Sequence, residues 1–122
     1  MLQANVENSF VVKGKPLISK WIEVGLKRKK ISEVYGIKYD LLRDDKITKK
    51  ATDSLKPLMQ LGPFLLSIFR GNIEEISSWL NSGNVAFHGL TPIDMIYMRR
   101  EEDILKYLMS YLDERNKEVF RG

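Results

Sequence analysis

The 122-residue chain carries one imidazole, His88, and no cysteine. Most hydrolytic and group-transfer chemistries need a base that titrates near neutral pH, a thiolate or a metal cage. His88 has no thiol to activate. Asp94, the carboxylate nearest to it in sequence, is explained by a helix-capping role, which leaves neither a ligand set nor an acid–base pair. His88 is therefore expected to be a loop residue that packs. The eight glycines are scattered singly rather than gathered into a phosphate-binding or dinucleotide-binding loop. Glu101, Glu102 and Asp103 form an acidic run, but they open a predicted helix, where the helix dipole favours negative charge, and a solvated helix start is expected. The chemistry-bearing residues point away from an enzyme, and no catalytic residue, metal or cofactor is expected.

The elements that carry these residues suit one compact unit, since 122 residues can bury a core without staples. Hydrophobic residues make up 43% and charged residues 30%, a balance typical of globular proteins. Residues 61–69 form the longest apolar stretch, but Gly62, Pro63 and Ser67 interrupt it, and it falls well short of the roughly 20 residues of a spanning helix. The opening residues lack the basic flank and apolar run of a secretory signal, so a cytoplasmic location is expected. Charge is unevenly spread: 13 Lys/Arg against 7 Asp/Glu up to residue 60, and 7 against 9 beyond it. The halves carry +6 and −2. This asymmetry fits a basic face for nucleic acid, and equally a lysine-rich solvated surface.

The apolar spacing predicts an all-α fold with no strand. Residues 1–15, with Phe10-Val11-Val12, are expected to be a flexible lead-in. Residues 16–60 then form a helix-turn-helix-like part. Leu17, Ile18, Trp21 and Ile22 repeat at helical spacing up to Gly25. Ile31 and Val34 share the face of a second helix that Gly36 breaks, and Ile37, Leu41 and Leu42 restart the pattern. A segment over residues 52–69 is expected to be split or kinked at Gly62-Pro63. Residues 61–122 make up the second helical part. Asn72 is placed to cap a helix carrying Ile73, Ile76, Trp79 and Leu80, with Glu74 and Glu75 in its first turn and Gly83 expected to end it in a left-handed conformation. Thr91-Pro92-Ile93-Asp94 has the form of a capping box with proline at the first helical position. Ile104, Leu105, Leu108 and Leu112 share a face of the last helix, where Glu102 and Lys106 form an i,i+4 pair.

Two constellations suit recognition. If the helix after Gly36 entered a DNA groove, it would present Lys38, Tyr39 and Arg43, with Lys27, Arg28, Lys29 and Lys30 beside it for phosphates. A pair of packed helices with a basic outer face would show the same pattern. Trp79 could anchor an interface, although on a helix with Ile73 and Ile76 a tryptophan is more often core. Lys117, Phe120 and Arg121 place an aromatic and two cations near the end of the chain, where they could fray or insert into a partner.

Residues 77–96, SSWLNSGNVAFHGLTPIDMI, resemble the signature of the toxin-binding domain of Xre/MbcA/ParS-type antitoxins. In that family a Trp-Leu helix precedes an Asn-Pro-Ala loop, a glycine and a Ser/Thr-Pro helix start. The matching positions are Trp79, Leu80, Asn84, Ala86, Gly89, Thr91, Pro92 and Met95. Val85 stands where proline is usual, His88 replaces one of two common glycines, and Leu90 sits where a basic residue is frequent. With a weaker match of residues 26–70 to the family's helix-turn-helix module, the likeness covers about residues 26–113. It implies an antitoxin of a type II toxin–antitoxin system, encoded beside its toxin. The partner implied is a RES-type toxin that consumes NAD, whose active-site entrance the antitoxin covers. It also implies repression of its own operon through operator DNA, as a homodimer or a toxin–antitoxin hetero-oligomer. Trp79, Gly89, Thr91 and Pro92 would shape the domain, and Phe120 and Arg121 would reach the toxin. A stand-alone DNA-binding regulator and a non-enzymatic oligomerisation module are the competing expectations.

Overall fold

A computed structural model describes residues 9–44 and 46–121, with side chains described up to residue 115. The chain is mostly helical, and among the described residues the departure from an all-α fold lies in and next to the segment expected to be a flexible lead-in. Lys13 and Gly14 adopt φ values of 53° and 78°. Consecutive left-handed residues turn a chain with the twist that a two-residue hairpin needs. Strands β1 (Val11–Val12) and β2 (Lys15–Pro16) accordingly pair antiparallel, Val11 opposite Pro16 and Val12 opposite Lys15. The hairpin ladder is continued by the amide of Leu17, which donates to the carbonyl of Phe10 at 2.8 Å. Phe10 itself is buried, with its ring centroid 4.2 Å from that of Trp21. A Cβ at Gly62 would lie 3.0 Å from that of Phe10, so the ring packs against nearly bare backbone.

Helices α1 (Ile18–Glu23), α2 (Arg28–Tyr35) and α3 (Tyr39–Arg43) follow, with Gly36 in the left-handed conformation after α2. Next come α4 (Lys49–Ser54), α5 (Lys56–Met59) and α6 (Leu61–Ile68). Where one break was expected at Gly62-Pro63, two occur, around Leu55 and Gln60. Proline has no N–H to give the carbonyl four residues back and crowds it. Pro57 and Pro63 therefore end the preceding helix a few residues earlier and sit in the first turn of the next.

Helices α7 (Ile73–Leu80), α8 (Pro92–Tyr97) and α9 (Glu101–Arg121) complete the chain, with a 3₁₀ turn at Val85–Phe87. Asn72 caps α7 by accepting from the amide of Glu75 at 3.1 Å, and Thr91 with Asp94 forms the expected capping box on α8. Gly83 does not take up the left-handed conformation expected of it. Its missing Cβ instead admits the carbonyl oxygen of Gly89, which would lie 2.7 Å from such an atom.

Phe10, Trp21, Ile31, Leu42, Leu58, Leu65, Ile76, Ile96, Ile104 and Leu108 belong to one hydrophobic cluster, with contributions from both sides of residue 60. Among the described residues no helix is long and apolar enough to cross a membrane. Truncating Phe10 to alanine is expected to destabilise the fold by about 3–5 kcal/mol, because it opens a cavity beside Trp21 that backbone cannot fill. Equilibrium denaturant unfolding measures this; a loss below about 1 kcal/mol would show that the hairpin is not part of the folded unit.

Candidate interaction site

Residues 84–90 are organised by one residue, Asn84, through its side chain and its backbone. The Oδ1 of Asn84 accepts from the amide of Ala86 at 2.9 Å. Its carbonyl accepts from the amides of Phe87 and Gly89, both at 2.9 Å, and its own amide donates to the carbonyl of Leu90 at 3.1 Å. His88 takes φ 57° and Gly89 φ 87°. The loop is thus closed on itself immediately before Thr91 starts α8. Val85 is 94% exposed at its crest, and His88 is exposed rather than packed as expected. Among the described residues no group of three or more metal-ligating side chains converges.

Beside this loop lies an aromatic cluster. Trp79 is half-buried, with ring centroids 6.1 Å from Phe69, 6.3 Å from Phe87 and 6.1 Å from Tyr107, the last of these stacked. It packs against the core and also lines a cleft of about 150 Å³ with Ile68, Phe69, Tyr107, Leu108 and Tyr111. A neighbouring cleft lined by Arg70, Asn72, Glu75, Tyr111 and Arg115 extends it. Tyr111 is 45% exposed, so α9 presents apolar surface to solvent here. Tyr107 and Tyr111 lie four residues apart, and that spacing was the available signal for an aromatic stripe on α9. Phe120 and Arg121 lie farther along the same helix, and their side chains are outside the described residues.

The acidic run that opens α9 is only partly solvated. Glu101 is 4% exposed. Its carboxylate accepts from the hydroxyl of Tyr35 on α2 and from Nε of Arg99 at 3.2 Å. The Arg99 guanidinium also stacks 4.6 Å from the centroid of the Tyr35 ring. The correction has a plain cause: a helix N-terminus tolerates an acid in water, but here α2 covers the first residue of α9 and supplies its donor. Burial, followed by the bond to Glu101, pushes the Tyr35 phenol far above its ordinary range. Glu102 remains exposed with Lys106 at 3.7 Å, and Asp103 pairs with Arg100 at 2.9 Å.

The basic candidates of the first part are dispersed. The amide of Lys27 donates to the hydroxyl of Tyr97 on α8 at 3.0 Å, and the Lys30 ammonium lies 5.5 Å from the centroid of that ring. Burial raises the pKa of Tyr97, and the Lys27 amide opposes the shift. Arg28 is half-buried, with Nε unpartnered among the described residues. Lys29, Lys38 and Tyr39 are exposed. Arg43 is exposed too, but its guanidinium is held by Asp44 at 2.9 Å and Asp40 at 3.4 Å. Its pKa is raised by the Asp44 hydrogen bond, and that of Asp44 is lowered in return. No family model, curated protein or solved structure matches the chain.

Because the folded state binds the Tyr35 proton more tightly than the unfolded chain does, its contribution is complete below the ordinary tyrosine pKa of about 10 and declines as pH rises above it. Tyr35→Phe is expected to lose about 1–3 kcal/mol at neutral pH, since Glu101 loses a donor. It should also lack this component of alkaline destabilisation, whereas Tyr97 titrates in both proteins and cancels. Urea unfolding of the two proteins at about pH 8 and about pH 11 checks this; an unchanged difference between them would remove Tyr35 from the junction.

Proposed function

We propose that this chain is the antitoxin of a type II toxin–antitoxin system. It acts in the cytoplasm without enzymatic activity or cofactor, neutralising a RES-type NAD-consuming toxin by binding it and blocking its active site, and it represses its own operon. The observation that carries this reading is the solvent-facing aromatic cleft formed by Phe69, Trp79, Tyr107 and Tyr111 beside the closed loop at residues 84–90. The loop is built from the residues on which the resemblance to Xre/MbcA/ParS-type antitoxins rests, with Asn84, Gly89, Thr91 and Pro92 setting its shape and Trp79 joining it to the cleft. A protein that inhibits by steric cover needs a rigid platform with aromatic anchors at its surface. Phe120 and Arg121, at the far end of α9, are proposed to extend the contact into the toxin.

The helix-turn-helix-like part, α2 and α3, would serve operator DNA through Lys27, Arg28, Lys38, Tyr39 and Arg43. The exposed cations of this part also support the second reading, a stand-alone DNA-binding regulator. Such a regulator would bind DNA with marked salt dependence and purify without a partner.

Co-expression with the product of the adjacent gene separates the two. The antitoxin reading expects growth arrest by that product, relief by this chain and a complex that purifies intact. Tyr111→Glu, at an exposed rim position, is expected to weaken the complex about tenfold or more while leaving thermal unfolding unchanged. An adjacent product that is harmless, or that stays toxic and unassociated, would overturn the assignment.

A further inference from the structure

Among the described residues, four acidic residues of the first half pair with nearby cations. Glu23 pairs with Lys20 at 2.9 Å, Asp40 and Asp44 with Arg43, and Asp53 with both Lys49 at 3.6 Å and Lys56 at 3.3 Å. Lys13, Lys15, Lys46 and Lys50 are exposed and form no ion pair with any described residue. These four come from two segments about 30 residues apart in the chain. The tertiary fold sets the β1–β2 hairpin against the link from α3 to α4. Lys15 and Lys46 line a single cleft of about 480 Å³ there, with Val12 and Thr48 beside them. Lys13 lies in the turn of the hairpin and Lys50 in the first turn of α4.

We infer that this hairpin cleft, in addition to α2 and α3, is a contact surface for duplex DNA, with Lys13, Lys15, Lys46 and Lys50 neutralising backbone phosphates. The inference rests on the DNA-binding part of the functional proposal. Three properties of the surface fit that partner. The lysines project from anchored backbone rather than from a tail: Phe10 is locked against Trp21, the Leu17 amide bonds to the Phe10 carbonyl, and the Lys46 amide bonds to the Leu41 carbonyl at 2.9 Å. A two-stranded ribbon is also one of the shapes that a major groove admits. Finally, Val12, next to Lys13 and opposite Lys15, is 42% exposed, so the ribbon offers apolar contact with a sugar or a thymine methyl beside its charges. The arginine of the five-residue α3 is paired with two carboxylates, so the hairpin lysines add cations that are not shared in this way.

The test is fluorescence anisotropy of the full chain on mixed-sequence duplex DNA across a salt series. Wild type is compared with Lys15→Ala/Lys46→Ala/Lys50→Ala and with a control of equal charge change, Arg70→Gln/Arg100→Gln/Lys106→Gln. The expected result is a loss of roughly tenfold or more in affinity, and a salt-dependence slope smaller by about 2.7, in the cleft variant alone. Circular dichroism melting should show both variants folded, since all six positions are exposed. Wild-type binding that the cleft variant retains, or that both variants lose equally, overturns this surface and leaves the DNA-binding reading standing. Absence of wild-type binding at low salt overturns both.

Discussion

A carboxylate that leaves water must find hydrogen-bond donors, because an uncompensated buried charge is strongly destabilising. Glu101 imposes that condition at the start of α9. Tyr35 reaches it from α2, and Arg99 reaches it from the link between α8 and α9. Helices α2 and α9 and the link after α8 are thereby held at one point. Two further long-range bonds repeat the constraint nearby: the Lys27 amide donates to the Tyr97 hydroxyl, and the Asn81 side-chain amide donates to the Val24 carbonyl at 3.0 Å. Gly25, next to that carbonyl, has φ 124° and lies so close to Asn81 that a Cβ would meet its amide nitrogen at 2.6 Å. The polar seam and the shared hydrophobic cluster together bind the two halves of the chain to each other.

The same junction accounts for an unusual backbone position. Arg99 has φ 61°, where glycine is the customary residue after a helix end. The strain is offset because only a long cationic side chain could both stack on Tyr35 and pair with Glu101 from that site. With this seam in place, the surfaces of the two halves keep a fixed relation. One surface presents a half-buried tryptophan and the tyrosines of α9, and another presents lysines that form no ion pair with a described residue. In the proposed function these are the toxin-facing and DNA-facing sides of one small protein, and toxin contact and operator contact need not compete for the same residues.

How much was legible follows the range of each interaction. Asn72, Thr91 and Asp94 act on amides three residues away, so their roles could be read from spacing alone. The hairpin could not. Its Lys13-Gly14 turn lacks the asparagine or aspartate that usually marks such turns, and Phe10-Val11-Val12 is too short to show an alternation. The split near Pro63 was expected, but the role of Pro57 as a helix starter was hidden within one continuous apolar pattern. Gly83 looked like a helix terminator because glycine often is one, whereas its role depends on a carbonyl six residues later. Glu101 looked solvated because nothing local announces that Tyr35 will cover it.

The amino-acid sequence by itself determined the mostly helical character, the caps of α7 and α8, the lack of thiol chemistry and the segregation of charge between the halves. These follow from residue type, spacing of a few positions and simple counting. Only the tertiary structure decided which charges are exposed and unpaired, which tryptophan face meets solvent, and which glutamate is buried. Each depends on contacts between segments tens of residues apart, and composition and periodicity carry no record of such contacts.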